Sequence, residues 1–308
     1  MTRALSFWKT PPTDENYMVA GWRQWADAGS TSSGLPQYLI ELTGAERIGS
    51  IASQDFYLFQ LPGTHHLLRP EIKLQQGYRQ SLGRHTNEFY YAQCGGKGLV
   101  IFLGDEPHLN VDRYAELFLD AVQALAVRRV VAVGGVYGAM PFNKDREISC
   151  VYSLPVLKAE LEAYAVRFSD YEGGSTIGTF LADRAEAREI EFIDFYAFVP
   201  AYDFSSLSPL VSGIRLEADY KAWYDLLHRF NYMFGLGLDL SDLLQQSEAL
   251  IASVEARLTE LDQKMPQLKI REYLQKLTED FKERPFTPLD DVWEEELGDL
   301  LNKLDGDE

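Results

Sequence analysis

Residues 98–141 read GLVIFLGDEPHLNVDRYAELFLDAVQALAVRRVVAVGGVYGAMP. The segments 99–103 and 130–133 are unbroken apolar runs of strand length, which is typical of parallel strands buried on both faces. Between these runs, one apolar stripe recurs at helical spacing through Tyr114, Leu117, Phe118, Ala121, Val122 and Leu125. Strand, helix and strand of this length predict a right-handed βαβ unit at the centre of an α/β sheet.

Both predicted strands run into a glycine-containing turn, at 104–107 and at 134–138. Ligand sites in open α/β sheets lie at the carboxyl ends of the strands, so a crevice is expected where these turns meet. The turn at 24–29 and the loop at 171–176 are expected at the same edge. The residues predicted to line this crevice are Asp27, Gly29, Asp105, Glu106, Gly134, Gly135, Glu172, Gly174 and Ser175.

Each of these residue types has a functional and a structural interpretation. Convergent carboxylates can do acid–base chemistry or bind cations, but Asp and Glu in turns also cap backbone groups. Ser175 follows two glycines and opens a helix, so the backbone N–H groups there can hold an anion. Alternatively Ser175 or Thr176 is the helix N-cap. The glycines at 134–138 do not have the spacing of a dinucleotide fingerprint, and Pro141 follows them.

No motif predicts a metal or cofactor site. None of the five histidines pairs with another at the i, i+4 spacing, and the sequence contains no CxxC and no GxSxG. Cys94 and Cys150 are the only cysteines, so we expect two buried thiols and no disulfide framework. The sequence therefore predicts no metal, no cofactor, and no esterase or protease activity.

The charge balance restricts the partners. The chain of 308 residues carries 47 acidic and 29 basic residues, a net charge of −18. Nucleic acids and anionic membranes attract basic surfaces, so neither is an expected partner. The acidity either keeps a soluble protein in solution or matches a basic partner protein. No apolar run has the length of a membrane span, and the first 18 residues lack the apolar core of a signal peptide, which favours the cytoplasm.

Several flanking elements can be predicted from local patterns. A helix is expected to follow Ser33, with Pro36 in its first turn and Gly44 at its end. The aromatic run at 56–59 extends a predicted strand over 47–60. The segments 78–82 and 88–93 are expected to be short strands that form a hairpin over the sheet.

Beyond Gly235 to Gly237 the pattern changes to that of long helices. Apolar residues alternate spacings of four and three at Leu240, Leu244, Ser247, Ile251, Val254, Leu258 and Leu261. Ile270, Leu274, Leu277 and Phe281 continue the spacing after Pro266, which predicts an antiparallel helical hairpin. A third helix is expected over 288–304. The predicted domains are an α/β core over 1–238 and a C-terminal helical subdomain over 239–308.

Six motifs occur in the order seen in the proteasome assembly chaperone 2 (PAC2) family, which this chain resembles over about residues 15–305. They are GWRQWADAG (21–29), LRP (68–70), LGDEP (103–107), VVAVGG with AMP (130–141), YEGGSTIG (171–178) and FVPAY (198–202). The resemblance implies a phosphorylase-like fold, a three-layer α/β/α sandwich with a mixed, mainly parallel sheet, followed by the helical part. Many members have a histidine and an arginine after the proline of the VGG segment, where this chain has FNKDR (142–146).

The resemblance also implies a function. Relatives act as assembly chaperones, so the expected role is a non-catalytic protein-binding or assembly factor with a protein partner. Proteasome-docking relatives end in a hydrophobic-Tyr-X tail, whereas this chain ends in LDGDE, so that docking mode is not expected. The alternative is an enzyme or small-molecule binder that takes a nucleoside or a phosphate-bearing ligand in the strand-end crevice. The phosphorylase-like fold and the unpaired helical faces favour a homo-oligomer, a trimer first, with the helical hairpin on the outside as a partner-facing arm.

Overall fold

A computed structural model of the chain describes residues 4–59, 70–204 and 213–287. The strands are β1 (Leu5–Phe7), β2 (Asn16–Arg23), β3 (Glu46–Ile51), β4 (Ile72–Gln75), β5 (Tyr78–Leu82), β6 (Asn87–Cys94), β7 (Lys97–Asp105), β8 (Val127–Gly138), β9 (Ile148–Tyr152), β10 (Arg167–Phe168), β11 (Glu191–Tyr202) and β12 (Ile214–Arg215). The α-helices are α1 (Gly34–Thr43), α2 (Val111–Ala124), α3 (Lys158–Leu161), α4 (Ile177–Glu186), α5 (Tyr220–Phe234), α6 (Ser241–Lys264) and α7 (Ile270–Asp280). The third C-terminal helix predicted at 288–304 lies outside the described residues.

One large mixed sheet forms the centre of the molecule. Its strand order is β1-β3-β6-β7-β2-β8-β11-β9-β10, and β12 pairs with β11. The four middle strands β7, β2, β8 and β11 are parallel, whereas β1, β3 and β6 pair antiparallel on one side. The predicted β7-α2-β8 unit is present, but β2 lies between its two strands, so the crossover passes over a neighbour.

Helices cover both faces of this sheet. Along β2, Tyr17 and Val19 enter a hydrophobic cluster with helices α1, α3 and α5. Met18, Ala20 and Trp22 point to the other face and join a cluster with α2 and α4. Because neighbouring residues of β2 are buried on opposite faces, the strand has no polar side, as its apolar sequence predicts. The three-layer α/β/α sandwich is confirmed.

Three local predictions differ from the structure. Of the described part of the segment 47–60, which ends at residue 59, only 47–51 lies in a strand, β3. The chain then turns with Asp55 at φ 74°, and Phe56 packs edge-on against Tyr114 at 5.3 Å. The strand β5 pairs with β4 in a separate two-stranded sheet, and β6 joins the main sheet, so the predicted hairpin of 78–82 with 88–93 is wrong. In the run at 56–59, Phe56 is buried, Tyr57 and Leu58 are half-buried and Phe59 is exposed, and none of the four pairs in a strand.

The glycine run at 134–138 is the third difference. It is not an exit turn, since β8 continues to Gly138 and stays paired with β11 from Arg129↔Glu191 to Gly138↔Pro200. A Cβ on Gly134 would lie 2.6 Å from the Tyr196 ring, and one on Gly135 would lie 2.1 Å from the Ala28 carbonyl oxygen. Glycine is therefore required here by close packing within an extended strand.

The C-terminal helices pack on the α/β part of the chain. Val254 and Leu258 of α6 and Ile270 and Leu274 of α7 share one hydrophobic cluster with residues of β11 and β12. The predicted apolar stripe of α6 contains Leu244, but Leu244 is exposed and its neighbour Leu243 is buried instead. The helical hairpin thus contacts the core and does not stand away from it as an arm. The domain boundary at residue 238 remains a prediction.

Candidate functional site

The carboxyl ends of β2, β8 and β11 meet at one edge of the sheet. After β2 the chain returns to β8 through a single parallel bridge between Asp27 and Gly135. The Gly135 N–H donates to the Ala26 carbonyl at 2.8 Å. The turn at 24–29, the glycines of β8 and the start of α4 therefore lie together, as the sequence predicts for a strand-end crevice.

Asp27 holds the turn that leads into α1. Its Oδ1 accepts from the backbone N–H groups of Ser32 and Ser33, both at 2.9 Å, and its Oδ2 accepts from the Ser33 hydroxyl at 2.7 Å. Burial raises the pKa of this carboxyl above its usual range, against the lowering effect of the three hydrogen bonds. All three partners are local, so the structure gives Asp27 a capping role.

Gly29 lies on the other side of the same turn. Its φ of 61° is left-handed, and its carbonyl accepts from the Asp219 N–H at 2.9 Å and the Trp223 indole N–H at 3.1 Å. A Cβ at Gly29 would lie 2.8 Å from the Asp219 Cβ. This glycine therefore fits the turn against the start of α5.

The carboxylates of the neighbouring residues Asp105 and Glu106 bind to different parts of the protein. Oδ2 of Asp105, at the end of β7, accepts from the Thr86 N–H at 2.7 Å, and Arg23 lies 3.7 Å away. Oε1 of Glu106 instead accepts from the N–H of Ile177, the first residue of α4, at 3.0 Å. Burial raises the pKa of Glu106. Because this carboxylate already occupies the N-terminus of α4, a bound anion is disfavoured there.

Thr176 is the N-cap of α4, as one of the two sequence interpretations has it. Its hydroxyl accepts from the Thr179 N–H at 3.1 Å, and the Thr179 hydroxyl accepts from the Thr176 N–H at 2.9 Å, which completes a capping box. Ser175 precedes the cap and is exposed, as are Glu172 and Gly174. All five residues of the loop 171–175 are exposed, in contrast to the turn at 24–29, which is partly buried.

Asp194 and Tyr196 are site residues that the sequence analysis missed. Asp194 is buried in the middle of β11, where the Tyr196 hydroxyl donates to its Oδ2 and also contacts the Thr176 hydroxyl. Burial raises the pKa of Asp194 to about 7. The signal was present in the sequence, since Asp194 is the one charged residue in the apolar run 192–199.

The half-buried Glu106 and the buried Asp194 line one small cavity. Its volume of about 20 Å³ holds roughly one water molecule. Trp22, Ser32, Gly134 and Tyr196 are among the residues that line it. The cavity brings together Glu106 and Gly134 of the predicted site.

A larger groove opens beside this cavity and shares Ala26, Thr176 and Tyr196 with it. Its volume is about 800 Å³. The walls are Val136, Phe168 and Phe198, the loop side is Gly173 to Ser175, and Arg167 and Asp170 also line it. Trp25 lies at one side with 72% of its surface exposed, and Tyr171 at another with 74% exposed. We call this the aromatic groove.

Conventional catalytic groups are scarce in the part of the chain that the structure describes. Burial raises the thiol pKa of both Cys94 and Cys150, which opposes formation of a nucleophilic thiolate. No group of three or more His, Cys, Asp or Glu side chains among residues 4–59, 70–204 and 213–287 is placed to hold a metal ion. No helix in these ranges is long and apolar enough to cross a membrane.

A family model matches residues 22–258 of the chain and is described as the PAC2 family. The match includes the turn at 24–29, the glycines of β8 and the loop 171–176. The chain belongs to the PAC2 family. Comparison with curated proteins finds no match.

Solved PAC2 structures share the fold. A PAC2 family protein from Streptomyces avermitilis is 23% identical, with a TM-score of 0.67, and the match covers 84% of this chain and 99% of that one. A Mycobacterium tuberculosis proteasome-assembly chaperone homologue is 21% identical, with a TM-score of 0.66 and coverage of 78% and 94%. An archaeal homologue of proteasome-assembly chaperone from Pyrococcus furiosus is 16% identical, with a TM-score of 0.52 and coverage of 86% and 99%.

Proposed function

We propose that this PAC2 protein is a non-catalytic binding factor that assists the assembly of a protein complex and holds its partner in the aromatic groove. Family membership supports the general role, because two relatives with the same fold are named as homologues of proteasome-assembly chaperones. The partner of this chain need not be a proteasome subunit.

The exposure of Trp25 and Tyr171 carries the proposal. Aromatic side chains are costly to leave in water, and they are enriched in protein interfaces, where a few of them supply most of the binding energy. Here two large aromatic side chains border a concave surface whose walls are apolar. Such a groove fits an apolar side chain or short apolar segment of a partner protein.

The polar groups around the groove support binding over catalysis. Thr176 lines the groove and is engaged with Thr179, and the nearby carboxylates Asp27 and Glu106 accept hydrogen bonds from the turn before α1 and from the first residue of α4. A general base must reach the proton that it removes, and these groups already accept hydrogen bonds from the protein backbone.

The test combines cross-linking with a measured affinity. A photoreactive benzoylphenylalanine in place of Tyr171 identifies the protein that contacts the groove in extracts of the source organism, and calorimetry then measures the binding of that purified protein. We expect Trp25→Ala with Tyr171→Ala to raise the dissociation constant at least about a hundredfold, as loss of two interface hot spots does. The control Leu42→Ala changes an exposed apolar residue on α1 and leaves the affinity unchanged. Full affinity of the double variant contradicts the proposal.

A second candidate function is the binding of a small molecule, and the buried carboxyl group of Asp194 beside the half-buried one of Glu106 favours it. The groove volume of about 800 Å³ lies within the range of ligand pockets, and raised carboxyl pKa values occur at such sites. Glu106 at the N-terminus of α4 disfavours a phosphate group, so a nucleoside is the better ligand of the two predicted classes. A thermal-shift screen with nucleosides, nucleotides and phosphate tests this, since a ligand at 100 times its dissociation constant adds about 2.7 kcal/mol. No shift with any of them rejects this candidate.

A further inference from the structure

The strands β4 and β5 form a hairpin, a two-stranded sheet of its own, which pairs with no other strand of the described residues 4–59, 70–204 and 213–287. Every residue from Glu71 to Arg84 is exposed. Gln76 and Gly77 take positive φ values of 50° and 81° in the two-residue turn, and the Gly83 N–H donates to the Glu71 carbonyl at 2.8 Å. An isolated two-stranded hairpin is only marginally stable in water, so this element gains stability from a surface that covers it.

One face of the hairpin is apolar. Ile72 lies opposite Leu82 in the register, and residues opposite each other share a face. Leu74 lies two residues after Ile72 on β4 and so lies on that face as well. A register shift in the hairpin puts Tyr78, opposite Gln75, on the other face. The exposed fractions of Ile72, Leu74 and Leu82 are 53%, 60% and 40%.

The hairpin is basic although the protein is acidic. Residues 71–84 contain Lys73, Arg79 and Arg84 against the single acidic residue Glu71, whereas the whole chain has a net charge of −18. Within residues 4–59, 70–204 and 213–287, none of the three basic side chains has a carboxylate partner. An apolar face with unpaired cations calls for an acidic surface that is also apolar.

We propose that the hairpin docks on an acidic surface of a second copy of this chain. The second copy provides the required surplus of carboxylates, and exposed ones such as Asp170, Glu172 and Glu186 have no ion-pair partner among the described residues. The net charge of the chain repels nucleic acids and anionic membranes. A head-to-tail contact between a hairpin and a different surface of the neighbour is heterologous, and such contacts form a ring where the rotation between copies closes.

The experiment measures the association of the full-length chain by light scattering and analytical ultracentrifugation at micromolar concentration. We expect a ring whose mass is a whole multiple of the chain mass. Changing Ile72, Leu74 and Leu82 together to Ser is expected to raise the dissociation constant at least about tenfold. The double variant Lys73→Glu with Arg79→Glu is also expected to raise the dissociation constant. Added salt is expected to weaken the association of the wild-type chain, because the contact pairs exposed charges. Circular dichroism checks that the variants fold, which is expected because the hairpin lies outside the core.

The control is Val156→Ser, which changes an exposed apolar residue outside the hairpin, and its association is unchanged. A photoreactive residue at position 74 cross-links one chain to another in the purified protein. A monomeric wild-type chain overturns the proposal, as does an oligomer that both hairpin variants leave intact. Cross-links from position 74 only to a different protein in extracts assign the hairpin to that partner and also overturn it.

Discussion

At the scale of single residues, the ion pair of Arg146 and Asp219 is the most consequential one that the sequence did not reveal. Both side chains are fully buried, and the guanidinium donates to both carboxylate oxygens at 2.8 and 3.1 Å. The Arg146 guanidinium also donates to the Phe142 and Lys144 carbonyls. The pair thus fixes the segment after β8 to the start of α5.

Arg146→Met is expected to lower the free energy of unfolding by about 3–5 kcal/mol, because it leaves the Asp219 carboxylate buried without its partner. Urea denaturation measures the loss. Adding Asp219→Asn removes the unpaired charge and keeps an oxygen for the N-cap of α5, so the double variant recovers part of the stability. The control Arg113→Met removes an exposed pair with Glu116 and costs about 0–0.5 kcal/mol. Equal losses for Arg146→Met and Arg113→Met contradict the prediction.

Asp194 gives a prediction about pH. Its folded-state pKa of about 7 lies above the value near 4 of an unfolded aspartate, so between these values the folded state holds the proton more tightly. This group therefore stabilises the fold least above pH 7, and its contribution falls by about 2–4 kcal/mol as the pH rises from about 4 to 7. Asp194→Asn removes that dependence. Denaturation curves at several pH values should be flatter for Asp194→Asn than for wild type, whereas Asp170→Asn, an exposed control, follows wild type. Parallel curves for wild type and Asp194→Asn would refute the pKa shift.

At the scale of elements, Gly135 in the strand β8 and Gly174 in the exposed loop differ in whether packing requires a glycine. A Cβ on Gly135 would meet the Ala28 carbonyl at 2.1 Å and the Thr31 hydroxyl at 2.8 Å, whereas nothing lies within 4 Å of one on Gly174. Gly135→Ala is expected to destabilise the protein by about 1–3 kcal/mol through overpacking. Gly174→Ala, on the exposed loop, leaves the free energy of unfolding within about 0.5 kcal/mol of wild type. The same urea titration measures both, and equal stabilities of the two variants contradict this reading of β8.

The sequence predicts elements well where burial alone defines them. The apolar runs at 99–103 and 130–133 became central strands because parallel strands covered on both faces need no alternating pattern. The prediction from sequence was wrong where pairing with a strand distant in the sequence decides the conformation. The glycines of β8 stay extended because β11 pairs with them, although glycine runs usually indicate a turn.

The structure places Asp27, Glu106 and Gly134 near the carboxyl-end edge of the sheet, where the strand ends alone predict them. That these residues form a functional site stays a prediction. The position of Asp194 beside Glu106 and the exposure of Trp25 could not be read from sequence, because both depend on which helix and loop lie above the sheet edge. For the same reason the sequence could not decide which face of α6 is buried. Leu243 and Leu244 are adjacent leucines, and only their contacts in the folded protein distinguish them.

At the scale of the whole molecule, the packing of the C-terminal helices determines how the protein unfolds. Leu258 of α6 is 0% exposed and lies in a cluster with Val199, Tyr202 and Ile214 of the α/β part. Leu240 and Leu243 extend the cluster that contains the core of β2 and α5. Because the helices and the sheet bury each other's apolar surface, neither part can be exposed without a large loss of hydrophobic stabilisation.

We therefore predict that the full chain unfolds in one cooperative transition, with the same midpoint when circular dichroism follows the helices and tryptophan fluorescence follows the core. Leu258→Ala is expected to lower the free energy of unfolding by about 2–5 kcal/mol and to shift both midpoints together. The matched control Leu244→Ala, in the same helix and 38% exposed, costs less than about 1 kcal/mol. If Leu258→Ala shifts only a separate, earlier transition of the helices, the C-terminal part is an independent unit, and the predicted boundary at residue 238 is then a true domain boundary. A single shifted transition instead assigns α6 and α7 to the same cooperative core as the sheet.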